Sequence, residues 1–461
     1  MNNANVLEQD LYDAISEMWI IDAHNHIPPE ADRLAMKVDA VSLFENYPSM
    51  DLTVAGMSAS EYLIMIDRDV PLGKRWGILE RYLPRIRNTS MTRSALLSVR
   101  EMYGFDDINT QNCEALSEVM QAENRPGIYR RVFRDRGRIL VTLNQDYVPI
   151  WRLPEAGSFR IPQMWEIQFS AAFGVDRPLK RIETDLGRSV NTFDDYLDAV
   201  AELLEYYHKR GVVGIKLDKP TIQSDPDKAD VEPLFDRVMY FRSPTPIEDA
   251  SMNAYEAWRE ETAGKGRTAV PSLPLTEEEK IALRDYIAHF VIQIAGGLGM
   301  VIIQHASMLG IGGDFRRTKA TDLVPVVMKH PETKFEIYHA GMPWPRETGM
   351  MAKSFPNIWL NLCWGSSMSR SMAVSTLDEW LDLVPVNKII AFGADTFLWT
   401  EWVLGELVQT REVLSSVLAK RIHAGLLSEE HALEQARMML YNNPKDLYGL
   451  ECRPGDDFTY A

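Results

Sequence analysis

Residues 20–26 read IIDAHNH: two apolar β-branched residues, an aspartate and an alanine, then two histidines two positions apart, with Pro28 and Pro29 just beyond. A short apolar run bounded by a turn signal reads as a buried strand. Residues two apart on an extended chain point to the same face, so His24 and His26 can grip one ion. The spacing alone is a weak motif. Its place at the C-terminal end of a strand gives it weight, because barrel enzymes keep their active sites there.

Seven further runs of this kind follow: RILVTLN ending at Asn144, IPQMWEIQ at Gln168, GVVGIKLD at Asp218, MVIIQHA at Ala306, KFEIYHAG at Gly341, NIWLNLCW at Trp364 and IIAFGADT at Thr396. They alternate with segments of helical period, the pattern of parallel strands joined by helices. Eight strands close a barrel, so the fold expected is an α/β protein of the (β/α)8 TIM-barrel type. Helix ends are legible between the runs. One helix starts at an Asn191 cap and stops at Gly211; another opens on Thr276-x-x-Glu279, a capping-box spacing, and ends on Gly296 and Gly297. Pro356 and Pro385 stop the last crossovers.

Two connections are too long to be simple crossovers. The first, residues 27–137, has helical periodicity around ASEYLIMIDRDV and LLSVREMYGF and reads as a helical cap over the barrel mouth. The second, residues 219–275, is polar, broken by Pro and Gly, and loop-rich. With 461 residues the chain then forms one elaborated barrel domain, 1–461, carrying two insertions.

Composition narrows the function classes. A hydrophobic fraction of 46% with 25% charged residues is ordinary for a globular protein. Forty-nine Lys and Arg against 66 Asp and Glu leave a net charge of −17 without a compensating basic patch, which disfavours nucleic acid and anionic membrane surfaces. Cys113, Cys363 and Cys452 are odd in number and far apart, against both a disulfide framework and a thiolate zinc cluster. A reducing, cytoplasmic setting is the expectation, with no membrane span and no leader. The partner expected is a small-molecule substrate, and the assembly a homo-oligomer.

Chemistry recurs at the strand ends. His305 ends the fifth run, His339 the sixth and Asp395 the eighth, so five metal-competent side chains occupy equivalent barrel positions with His24 and His26. Any one of these histidines could simply be hydrogen-bonded to backbone. An enclosed ring of imidazoles with a carboxylate, and no ion, would be costly to desolvate. His208, His289, His330, His423 and His431 fall in helix-like segments and are assigned no chemistry.

The set IDAHNH, IIQHAS, IYHAGMP, AFGADT and the closing MLYNNPKDLYGL, running from about residue 20 to 450, resembles the amidohydrolase superfamily, in the branch of amidohydrolase-2 proteins and uronate isomerases. Uronate isomerases also carry a long helical insertion after the first strand. The resemblance implies a divalent metal held by His24, His26, His305 and Asp395, with His339 as a further ligand or proton-transfer group. Zinc suits these ligands best, with manganese and iron as alternatives. Asp395 would take a proton from a metal-activated water. Lys216 stands where binuclear members carry a bridging carboxylated lysine; a substrate contact or an ion pair is the preferred reading of it.

Just beyond His339, Trp344 and Arg346 offer a ring and a guanidinium to an organic carboxylate, and Trp165 and Trp364 wall the pocket at other strand ends. The expected function is a metal-dependent hydrolase acting on a small, carboxylate-bearing molecule. The alternatives are a uronate isomerase-like aldose–ketose isomerisation and a non-oxidative decarboxylation. The uronate-isomerase loop pattern is not matched around Asp395, where the sequence reads GADTFLW. A non-catalytic binding protein is disfavoured, since it has no reason to keep a complete ligand set.

Overall fold

The eight apolar runs become eight strands in one parallel sheet, each hydrogen-bonded to its sequence neighbour in the order β1 to β8. In this computed structural model the described residues are 3–146, 163–169, 182–183, 186–217, 222–240 and 275–454. The strands are β1 (Ile20–Asn25), β2 (Ile139–Asp146), β3 (Gln163–Phe169), β4 (Val212–Leu217), β5 (Val301–His305), β6 (Phe335–Tyr338), β7 (Ile358–Asn361) and β8 (Ile389–Ile390). Strands buried on both faces read as mainly apolar runs, as β1, β5, β6 and β8 do.

The eighth run departs from the simple picture. Its ladder with β7 covers only Leu360 to Ile389 and Asn361 to Ile390, and the chain then turns its hydrogen bonds to β1. Ala23 N donates to Phe392 O at 3.1 Å, Asp395 N to His24 O at 2.9 Å and His26 N to Thr396 O at 3.0 Å. These bonds bring the last element beside the first. Gly393 permits the approach: a Cβ there would lie 2.5 Å from the Cβ of Cys363 and 3.1 Å from His24 N.

A buried carboxylate ties this seam together. Asp22, fully buried, accepts hydrogen bonds from Ala394 N (2.9 Å), Thr142 Oγ1 (3.0 Å) and the Asn25 amide. Asn25 in turn accepts from Thr396 N at 2.8 Å. Three strands thus meet through two side chains of β1. Burial raises the Asp22 pKa to about 7 against the lowering by its donors. A smaller apolar cluster of Ile21, Leu140, Val301, Ile303, Tyr338 and Ile390 is joined by Leu447 and Tyr448 from the C-terminal segment.

The helix Glu277–Gly297 has the expected capping box, with Thr276 and Glu279 bonded reciprocally. The helix Phe193–Lys209 is capped one residue later than expected. Thr192 takes the cap because its hydroxyl accepts from Asp195 N at 3.1 Å while the Asp195 carboxylate accepts from both Thr192 N and Asn191 N.

Between β1 and β2 the chain forms a series of helices, the longest being Leu72–Ile86 and Ser90–Tyr103. Ser90–Tyr103 lies so close to the helix Trp402–His423 that a Cβ at Gly405 would fall 2.0 Å from Ser94 O. Further on, Arg33 pairs with Glu401 at 2.5 Å, both side chains fully buried, and stacks over Trp399. The insertion therefore meets the segment that follows β8. Of residues 219–275, expected to be loop-rich, Lys228–Tyr240 is helical and 241–274 lie outside the described residues, as does Asp218.

Candidate metal centre

β1 delivers two imidazoles with their rings 4.7 Å apart, edge to face. The turn after β8 delivers Asp395 with a left-handed backbone (φ +49°), uncommon for a residue with a side chain. One carboxylate oxygen, Oδ1, then lies 3.3 Å from His24 Nε2 and 3.2 Å from His26 Nε2. Among the described residues these three form a group whose donor atoms all lie within 4.8 Å of one another. Two imidazole nitrogens and a carboxylate oxygen so close, with the His24 side chain fully buried and that of His26 13% exposed, fit a divalent cation.

The electrostatics agree. Burial alone would raise the Asp395 pKa, but the charge of His24 and the hydrogen bonds from His24 and His26 outweigh it and hold the carboxyl well below the usual range. For His26, burial lowers the pKa to about 4, against the raising effect of Asp395. Metal ligation requires an ionised carboxylate and neutral imidazoles, and burial favours the neutral form at His26.

Around this group the remaining strand ends contribute a second layer. Lys216 on β4 is buried, with Nζ 2.9 Å from His24 Nε2 and 5.3 Å from the centre of the Tyr338 ring. His339, left-handed at φ +63°, places Nδ1 3.7 Å from Asp395 Oδ2 and 3.2 Å from Cys363 Sγ. His305 is its neighbour, ring centres 4.3 Å apart, but His305 Nε2 faces the carbonyl of Met308 at 2.9 Å. His305 thus stands beside the three-residue group without a donor atom inside it.

Of the aromatic residues expected to wall a pocket, Trp364 sits 5.6 Å from the His339 ring and 4.6 Å from Tyr47, buried and left-handed at φ +59°. Trp344 instead meets Phe315 and Lys319. The side chain of Trp165 lies outside the described residues. Arg346 pairs with a neighbouring carboxylate. Its side chain is 80% exposed and held in a two-pronged pair with Glu379 at 2.7 and 2.9 Å, since the helix Pro345–Ser354 begins here and turns it outward.

Tyr47 was not foreseen. It comes from the insertion, hydrogen-bonds Asp395 and lies near Trp364 and Trp402. Burial, followed by the Asp395 charge and that hydrogen bond, drives its pKa well above the usual phenol range, so the hydroxyl keeps its proton. Cys363, pushed up by burial and by the Asp395 charge, is a thiol beside His339. A strand-end position marked Cys363 and went unused; nothing in ENYPS marked Tyr47.

Residues 187–450 match the family model described as Amidohydrolase. The chain belongs to the amidohydrolase family. Its fold is also that of solved uronate isomerases. Glucuronate isomerase from Caulobacter crescentus superposes with a TM-score of 0.73 at 16% identity, over 99% of this chain and 96% of that one. Uronate isomerase from Thermotoga maritima gives 0.69 at 14%, over 96% and 97%. A shorter match is to Protein fluG of Emericella nidulans, 29% identical over 140 residues, which are 30% of this chain and 16% of that protein. The amidohydrolase resemblance, with a uronate isomerase-like fold, is borne out. Family and site together support a metal-dependent enzyme with a small-molecule substrate. Among the described residues no helix is long and apolar enough to cross a membrane.

Proposed function

We propose that this amidohydrolase is a metal-dependent hydrolase of a small organic substrate, with one divalent ion, zinc first, held by His24, His26 and Asp395, and His305 as the fourth ligand after turning from Met308. The observation that carries the reading is the Asp395 oxygen set 3.3 Å from His24 Nε2 and 3.2 Å from His26 Nε2 at the seam of β1 and β8. When bound, the ion would supply Lewis acidity, acidifying water and polarising a substrate oxygen. Asp395 accepts a proton at its carboxylate, Tyr47 holds that carboxylate by its hydroxyl, and His339 is placed to move a proton on the far side. Trp364 and Tyr47 keep bulk water off these groups.

A second reading, aldose–ketose isomerisation, is favoured by one observation: the partly buried Tyr47 hydroxyl against the Asp395 carboxylate sets a proton donor beside an acceptor, as proton transfer between adjacent carbons needs. Screening the zinc-loaded protein on lactones, esters and amides in ¹⁸O-water, and on uronates in D2O, separates the two. Hydrolysis carries ¹⁸O into the product and isomerisation carries deuterium. Asp395→Asn should lower turnover by about 10²-fold or more, the scale of a lost general base. Near-normal turnover with full metal in that variant would remove Asp395 from the mechanism.

A further inference from the structure

The turn that carries Asp395 is an unlikely shape for its sequence. Asp395 and Leu398 both have positive φ, +49° and +70°, without a glycine between residues 395 and 401, and Trp399 N closes a tight turn by donating to Phe397 O at 2.8 Å. Such backbone persists only where the surroundings over-determine it. On the β1 side the restraints are His26 N to Thr396 O and Thr396 N to Asn25. At the far end stands the buried Arg33–Glu401 pair, with Tyr103 also donating to Glu401.

Between these anchors several side chains of the insertion reach the turn: Tyr47 bonds the Asp395 carboxylate, Tyr129 bonds Thr400, Arg33 and Arg68 lie over Trp399, and Asn46 bonds the backbone. Asn46, 4% exposed, donates from Nδ2 to the Phe397 carbonyl at 2.9 Å and accepts at Oδ1 from Tyr47 N at 2.8 Å. One amide group therefore links the backbone that presents Tyr47 to the backbone two residues beyond Asp395. The segment bearing Asn46 is itself fixed: Asp39 pairs with Arg75 and Glu45 with Arg68, each at 2.5 Å, and Ser42 and Phe44 are fully buried.

We propose that Asn46 is a positioning residue, a latch that holds the Asp395 turn in its left-handed form and sets Tyr47 against the Asp395 carboxylate. It acts through those two residues and touches no reacting atom. The latch makes the insertion and the metal centre one mechanical unit, so a shift of the insertion moves a metal ligand. Its metal arm rests on the proposed site at His24, His26 and Asp395; its backbone arm does not.

The test uses the full chain with Asn46→Asp, which keeps the acceptor for Tyr47 N and loses the donor to Phe397, and Asn46→Ala, which loses both. In the metal-free proteins, amide hydrogen exchange of residues 395–401 should quicken by about tenfold or more, while the helix Trp402–His423 and β5 exchange as in the parent. Zinc alone, titrated against a chelator, should bind about 10- to 100-fold more weakly, the usual effect of losing an outer partner of a ligand. Unchanged exchange over 395–401, or exchange quickened throughout with unaltered zinc affinity, overturns the latch and leaves Asn46 a general packing residue. Should Asn46→Ala not fold, Asn46→Asp decides. If the parent and His26→Ala bind zinc alike, the metal-site reading fails, and the exchange arm still decides the latch.

Discussion

Histidines cluster twice in this protein, and the two clusters have opposite characters. At the strand ends, His24 and His26 converge on the Asp395 carboxylate, with His339 and His305 behind them. In the outer layer, His289 of the helix Glu277–Gly297 and His330, just past Val324–Lys329, share one hydrogen bond at 2.9 Å with their rings stacked. Burial lowers the pKa of His26 and of the outer pair alike. The difference lies in what they face. The outer pair satisfies itself, with Ser224 O 3.3 Å from His289 Nε2 and Asp225 3.8 Å away but bound to Lys329. At the strand ends several imidazoles and one ionised carboxylate oxygen converge, an arrangement that a cation completes.

Metal content is the largest expected contrast. His26→Ala should bind zinc at least about 10²-fold more weakly, beyond the 10- to 100-fold usual for outer partners, whereas His289→Ala keeps full stoichiometry. Elemental analysis of both variants checks this, and equal metal content would erase the distinction between the clusters. Next comes stability. Asp22→Ala removes the acceptor for Ala394 N, Thr142 and Asn25 at the seam and should cost on the order of 3 kcal/mol in urea unfolding. Asp225→Ala, at a carboxylate whose side chain is 56% exposed, should cost below about 1 kcal/mol. A cost for Asp22→Ala as small as that would mean the seam holds by backbone alone.

The smallest effect is a pH slope. His330, beside His289, Lys329 and the Asp225 carboxylate, has its pKa lowered from 6.5 to about 4, with burial as the first cause. The unfolded chain therefore takes up a proton before the native one does. The contribution of the pair is complete above about pH 6.5 and is lost as pH falls from there toward 4. His330→Asn should flatten the dependence of the urea midpoint over that window. An unaltered slope would place the titration elsewhere.

Much of this was legible along the chain. All eight strands were, because each is a short, largely apolar run between helical segments, and four of their ends are marked by His24, His26, His305, His339 and Asp395. The Thr276 capping box was too, since both partners lie within one helical turn. Asn191 was displaced by Thr192 because two adjacent polar residues compete for one cap, and only the reciprocal bond to Asp195 chooses between them. Nearness in sequence to His339 does not tell which way Arg346 turns, because a new helix begins at Pro345.

What the sequence by itself determined is therefore local: strand and helix periods, the chemistry at strand ends, and the family pattern they form in order. What only the tertiary structure decided is which distant groups meet. Tyr47 and Asn46 carry no mark in the sequence, yet they reach the Asp395 turn across some 350 positions. Periodicity and turn chemistry act over a few residues, whereas these contacts exist only once β1 and the end of β8 have come together and the insertion has packed on the segment beyond them.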